Sequence, residues 1–196
     1  MFAPDPADFK FDRCARFQKH IQRFNRRQMI PTEAKVLWQI EAGFVRTLTS
    51  DEDGTLTTLG FWKNGDIVGL PLTDIRPYWV ECLTSVKATR LLSKVSQPRD
   101  ALVSQMQFFQ SQQSQELLRI AHCKRVEFRL LKLLNWLAQL IGEKLEEGYF
   151  IPLRLTHQDL ADTVGTTRVT VTRLINEFQR SGRIRDTHHG YFLKEG

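Results

Sequence analysis

Cysteine is scarce in this 196-residue chain, with three residues at positions 14, 82 and 123. An odd number at wide separations argues against a disulfide framework and against a Cys-rich metal or iron–sulfur site, so each is read as a small buried apolar residue. Long hydrophobic runs are missing too: no eighteen consecutive apolar residues occur, and residues 1–12 mix acids with aromatics and proline. That pattern fits neither a signal peptide nor a spanning helix, and the cytoplasm is the expected compartment. Histidine is absent between His20 and His122, which removes the usual ligands of a metal-holding β-roll enzyme. There is no Ser-His-Asp grouping and no Gly-rich phosphate loop. Enzyme activity is therefore not expected, and neither is a metal or cofactor. Proline is missing from Arg99 to Leu145, where the sole glycine is Gly142, and such a stretch is free to be helical.

What is present changes character along the chain. The first hundred residues carry short β-rich runs, Val36–Ile40, Phe44–Thr49, Thr55–Trp62, Ile67–Leu70 and two clusters within Val80–Leu92. Turn signals at Asp53-Gly54 and Asn64-Gly65-Asp66 separate them, so a small sandwich or roll is predicted. Phe61, Trp62, Tyr78 and Trp79 are read as core of that roll rather than as a surface for a protein partner. Beyond Pro98, apolar residues recur at helical period from Leu117 to Ile141, giving two helices with a break near His122–Arg125. The glutamine-rich stretch Ala101–Gln115 has an apolar stripe of Leu102, Met106 and Phe109, continued by Leu117 and Ile120. Such a stripe either packs on the roll or pairs with a second copy of itself. Residues 146–152 are read as a loop or short strand.

The most specific signal begins at Thr156. Thr156 with Asp159 three residues on resembles a capping box with Asp in place of Glu. Leu160, Ala161 and Val164 form an inner face, Gly165 supplies a turn, and Thr166 or Thr167 caps a second helix lined by Val171, Leu174, Ile175 and Phe178. A small residue where two helices cross, a glycine four residues on, and apolar residues ten and thirteen from the alanine make the helix-turn-helix spacing. The outer face of the second helix carries Thr167, Arg168, Val169, Thr170, Thr172 and Arg173, with no acid before Glu177. Arginines suit guanine edges and threonines suit phosphates, so double-stranded DNA is the expected partner in preference to an ordinary helical hairpin. The net charge of +6 permits that partner, and five arginines stand against one acid between Gly165 and Arg185. The other basic cluster (Arg13, Arg16, Lys19, Arg23, Arg26, Arg27) is interspersed with Asp8 and Asp12 and reads as a solvated face. Ile184–Asp186 and Tyr191–Leu193 around a His188-His189-Gly190 turn look like a wing, which makes Arg183, Arg185 and His188 expected phosphate contacts. No third ligand lies near the two histidines, so a metal site is not expected there.

With G-T-T-R-V-T-V-T-R-L at its centre, the segment Val126–Ile184 resembles the Crp/Fnr family of bacterial regulators, and its recognition helix is similar to the cyanobacterial nitrogen-control branch. The likeness extends to Gly43–Arg46, Asp53-Gly54 and Gly65–Gly69. It implies an α+β chain: a shortened, cupin-like jelly-roll β-roll over residues 1–98, a dimerisation helix over 99–124 and a winged helix-turn-helix over 125–196. It implies a homodimer on a palindromic DNA site, with RNA polymerase as a further partner. By position, it makes Arg168, Val169 and Arg173 base readers and Gln158, Thr167 and Thr170 phosphate contacts, and it places Leu102, Met106, Phe109, Leu117 and Ile120 at the dimer seam. Many members have Glu where this chain has Val169; a valine offers only apolar contact, so a GTA-like half-site is expected rather than TGTGA. The cassette that cradles a cyclic-nucleotide phosphate is also altered, because Gly69 is followed by Leu70–Trp79 without the Gly-Glu start. Dependence on a cyclic nucleotide is not expected.

Overall fold

The structure, a computed structural model, describes residues 20–92 and 101–194, with side chains from 21–91 and 106–194. Cys14, Arg13, Arg16, Lys19 and the side chain of Leu102 lie outside the described residues. The described residues fall into two compact units, one of 20–47 with 61–92 and 101–108, the other of 48–60 with 109–194.

Among the described residues, the β-rich half carries eight strands: β1 (His20–Phe24), β2 (Met29–Ile30), β3 (Val36–Ala42), β4 (Val45–Ser50), β5 (Leu56–Trp62), β6 (Ile67–Val68), β7 (Trp79–Cys82) and β8 (Val86–Leu92). They form two four-stranded sheets in the orders β1-β8-β3-β6 and β2-β7-β4-β5. The registers recorded for β1/β8, β3/β8, β3/β6 and β2/β7 are all antiparallel. Strand β3 buries Val36, Leu37 and Trp38 in succession, the signature of a strand covered on both faces. The predicted core aromatics behave accordingly: Phe61, Trp62 and Tyr78 are buried and Trp79 is half-buried. Phe24 meets Trp38 edge-to-face with centroids 5.5 Å apart. Gly43, at φ +89°, closes the β3–β4 connection against the Ser85 carbonyl and the Thr84 hydroxyl, where any Cβ would collide.

A buried charge cluster sits in this half. The Glu81 carboxylate accepts from Arg46 Nε at 2.6 Å and from Arg27 Nη1 at 3.0 Å. Arg46 and Glu81 are both buried, so the carboxylate is neutralised from two sides rather than left as an unpaired charge. Arg23 and Arg26 are exposed, in keeping with a solvated face.

Helix α1 (Ala101–Ala121) precedes α2 (Val126–Ile141), with the break where the sequence placed it. Met106 packs against Leu37, Ile67 and Leu72 of the roll, and Ile120 is buried within the chain. Phe109 and Leu117 are half-buried, whereas Phe108 and Leu118 are exposed. The stripe that the sequence offered to roll or partner is thus used, at Met106, by the roll. Among the described residues, no helix is long and apolar enough to cross a membrane.

Candidate nucleic-acid interface

Helix α2 supplies the floor of the C-terminal unit, burying Leu130, Leu133, Leu134, Leu137 and Ala138. Helix α3 (His157–Val164) starts in a capping box: the Asp159 N–H donates to Thr156 Oγ1 at 3.1 Å, and the Thr156 N–H donates to Asp159 Oδ2 at 2.7 Å. Two backbone donors at the helix start are thereby satisfied, and the buried carboxylate faces the positive end of the helix. Gly165 then takes the left-handed conformation (φ 64°, ψ 61°), and the N–H of Thr166 donates to the Ala161 carbonyl at 3.1 Å. Arg129 Nη2 donates to the Gly165 carbonyl at 3.3 Å, tying the turn to α2.

Helix α4 (Arg168–Arg180) is capped by Thr167, the second of the two threonines considered, whose hydroxyl accepts from the Thr170 N–H at 3.2 Å. Its inner face, Val171, Leu174, Ile175 and Phe178, is buried, as are Leu160, Ala161 and Val164 of α3, on which α4 packs. That apolar seam leaves the opposite face to solvent. Arg168 and Arg173 are exposed, and Val169 is 79% exposed, the highest value among the large apolar residues described. Arg173 Nη1 donates to Glu177 at 2.6 Å. Thr167 and Thr170 share one hydrogen bond between hydroxyls 2.9 Å apart, which leaves the second of their two hydroxyl protons for an outside acceptor. Gln158 Nε2 donates to Asp162 Oδ1 at 2.7 Å on the exposed side of α3. His157 Nδ1 lies 2.8 Å from Thr172 Oγ1, linking the two helices.

The wing has more strands than the sequence indicated. β11 (Ile184–Thr187) and β12 (Gly190–Lys194) form the expected hairpin, but β9 (Glu143–Leu145) and β10 (Gly148–Ile151) join it in the order β11-β12-β10-β9. The Glu146–Pro152 segment is therefore half strand, paired to β12 with Ile151 opposite Tyr191. Tyr191 Oη donates to the Leu155 carbonyl at 2.9 Å, which seats the wing on the segment leading into α3. At the wing tip the Thr187 hydroxyl accepts from the Gly190 N–H at 3.0 Å. Arg154 Nη1 donates to the His188 carbonyl at 3.4 Å, and the His188 side chain is exposed. The Arg185 guanidinium lies over the Phe192 ring at 5.3 Å, and Arg183 is exposed near Glu127 at 3.9 Å. Among the described residues, no group of three or more His, Cys, Asp or Glu side chains is disposed to hold a metal.

Of the expected contact residues, Arg168, Val169 and Arg173 thus stand exposed on α4, with Thr167 exposed at its cap and Thr170 half-buried in its first turn. Gln158 lies on α3, and Arg185 and His188 lie on the wing. The His157–Thr172 link was missed, because a sequence does not disclose which side chains meet between two helices.

Three comparisons bear on this site. A Crp-like helix-turn-helix domain model matches residues 129–194. The chain is 39% identical over 168 residues to the regulatory protein CysR of Synechococcus elongatus, covering 84% of this chain and 79% of that protein. It is 30% identical over 161 residues to the transcriptional regulator SdrP of Thermus thermophilus, covering 80% and 78%. Among solved structures, FixK2 of Bradyrhizobium japonicum superposes with a TM-score of 0.75 at 16% identity, covering 92% of this chain and 94% of that one. A CRP-family transcriptional regulator of Thermus thermophilus does so at 0.73 and 24%, covering 89% and 92%. These two structures show likeness of fold.

Proposed function

The chain belongs to the Crp/Fnr family of DNA-binding transcription regulators, and from that premise we propose that it acts as a homodimer on a palindromic element with GTA-like half-sites, without requiring a cyclic nucleotide. The observation that carries the reading is the outer face of α4. A helix whose inner face is buried within the unit presents Arg168, Val169 and Arg173 to solvent. Two guanidinium forks and one apolar contact match guanine edges and a thymine methyl, and no glutamate stands among them to accept from cytosine. Gln158, Thr167, Thr170, Arg183, Arg185 and His188 serve the phosphates and so set register rather than sequence preference.

Helix α1 supplies the dimer contact. Phe109 and Leu117, half-buried in one chain, and Phe108 and Leu118, exposed, are the apolar groups with surface to offer a second copy. Two-fold symmetry then sets two recognition helices about 34 Å apart, one turn of DNA. Independence from cyclic nucleotides is supported by the segment after Gly69, a 3-10 turn (Leu70–Leu72) with Leu72 buried, where a phosphate cradle would need polar donors. RNA polymerase is the expected protein partner of the bound dimer.

Selection of bound duplexes from a random library, with and without added cyclic AMP, tests the proposal. Paired GTA and TAC half-sites, unchanged by the nucleotide, are expected. A TGTGA half-site would sink the half-site assignment, and selection only in the presence of the nucleotide would sink the effector assignment.

A further inference from the structure

Resting on the reading of α4 as the DNA-reading helix, we propose that His157 is a positioning residue whose Nδ1–H, donated to the Thr172 hydroxyl, fixes how α4 presents Arg168 and Arg173. The apolar seam between α3 and α4 holds the helices together, but apolar contact is non-directional and permits small slides and rotations of one helix on the other. A hydrogen bond constrains direction as well as distance. Thr172 stands next to Arg173, and its hydroxyl donates to the Arg168 carbonyl at 2.9 Å. A carbonyl only accepts, so the single hydrogen of that hydroxyl is spent there. The 2.8 Å contact with His157 Nδ1 must then draw its hydrogen from the ring.

The neutral imidazole is therefore held in its Nδ1–H form. His157 is itself the first residue of α3, directly after Thr156 of the capping box, so the ring is anchored to a helix start that the box holds in place. The connection runs from that cap through the ring and the Thr172 hydroxyl to the backbone of Arg168. It joins α3 to the first turn of the recognition helix, between Arg168 and Arg173.

A base edge requires this alignment, whereas the phosphate backbone does not, so loss of the link separates specific from non-specific binding. The test measures affinity of the full chain for a selected duplex and for an unrelated duplex of equal length, at fixed salt, beside a melting curve. His157→Ala and Thr172→Val are each expected to lower the specific-to-non-specific ratio about 3–10-fold, the value of one neutral hydrogen bond. Non-specific affinity should stay within about twofold. The double variant should be no worse than the worse single one, because both remove the same link. His157→Asn is expected to restore most of the ratio, since its side-chain amide can donate from near the Nδ1 position and places nothing at Nε2.

Nitrogen-15 NMR of the neutral ring in the free protein is expected to show Nδ1–H in the wild type and its loss in Thr172→Val. Equal loss of specific and non-specific binding, with Asn no better than Ala, would instead make His157 a phosphate contact and overturn the proposal. An unchanged ratio, or a ring protonated on Nε2, would overturn it as well. Failure of Arg168→Ala and Arg173→Ala to weaken selection would reject the DNA reading itself. The ring tautomer and its dependence on Thr172 then still decide whether the link exists.

Discussion

Arginine reads guanine because its guanidinium presents two parallel donors to O6 and N7, and both candidate readers here stand exposed at the start of α4. Arg173 already has a partner, since its Nη1 donates to Glu177 at 2.6 Å. The magnitudes decide which contact wins. An exposed ion pair one helical turn apart is worth about 0.3–0.5 kcal/mol, whereas a bidentate base contact discriminates by about 1–3 kcal/mol. Glu177 therefore orients Arg173 without withholding it. Arg168→Ala and Arg173→Ala are each expected to cost about 1–3 kcal/mol of specific binding in a mobility-shift titration and to relax preference at one base position. Arg→Lys at either site should recover little, because an ammonium lacks the fork. Val169→Glu should move preference at its position from thymine toward cytosine; unchanged selection would remove Val169 from the base readers. The cysteines divide in a similar way. Cys82 is fully buried, and burial together with the neighbouring Glu81 charge pushes its thiol up to about 12, so no thiolate forms at neutral pH. Cys123 is half-buried. Iodoacetamide at pH 8 should label Cys123 in the native protein and Cys82 only after denaturation, as read by peptide mass spectrometry; native labelling of Cys82 would show that its strand opens.

At the scale of elements, the helix-turn-helix depends on a single left-handed residue. A Cβ on Gly165 would meet nothing within 4 Å, so the cost of a side chain there is that of the backbone conformation alone. Gly165→Ala is expected to destabilise by about 1–2 kcal/mol in urea unfolding, with Asn costing less because it tolerates this region. Wild-type stability for the alanine variant would mean that the turn can be made another way. This turn was legible in the sequence because each of its parts has a local cause: the Thr156–Asp159 box, the small Ala161, the glycine and the Thr167 cap act over three to five residues. Other elements carry no such signal. β9 (Glu143–Leu145) is exposed at all three positions, so no apolar alternation marks it as a strand, although its pairing of Leu145 with Gly148 is local. β2 is two residues long and is defined by Met29 and Ile30 meeting Glu81 and Val80, about fifty residues on. The α1 stripe was legible as a stripe but not as a contact, since core and dimer seam require the same spacing. The packing of Met106 on Leu37, Ile67 and Leu72 gives that one residue a contact with the roll through residues distant in sequence.

At the scale of the whole molecule, a boundary drawn along the chain at residue 98 misses one grouping. Leu48–Gly60, the end of β4 and most of β5, belongs with the C-terminal unit, and the Thr58 and Thr163 hydroxyls meet at 2.9 Å across 105 positions. Thr163 also donates to the Asp159 carbonyl at 2.8 Å, so Thr58 must be the donor in that pair, and α3 is held by the hairpin as well as by its own cap. The unit so built is the one a dimer would present twice to DNA, and ionic strength can count the copies. Each cation placed on a phosphate releases counterions, and log K falls with log salt by about 0.9 per phosphate neutralised. Arg185 is exposed on the wing, and its stacking on Phe192 leaves the edge of its guanidinium open to a phosphate oxygen. On a palindrome bound by two chains, Arg185→Ala removes two such contacts, so the slope should become shallower by about 1.8. A single bound chain would give about half that change, and a wing clear of the backbone would give none. Val169→Ala, which removes no charge, should leave the slope unaltered while still weakening the selected site. Measuring both variants across a salt series therefore separates the number of reading heads on the DNA from the base contact that each one makes.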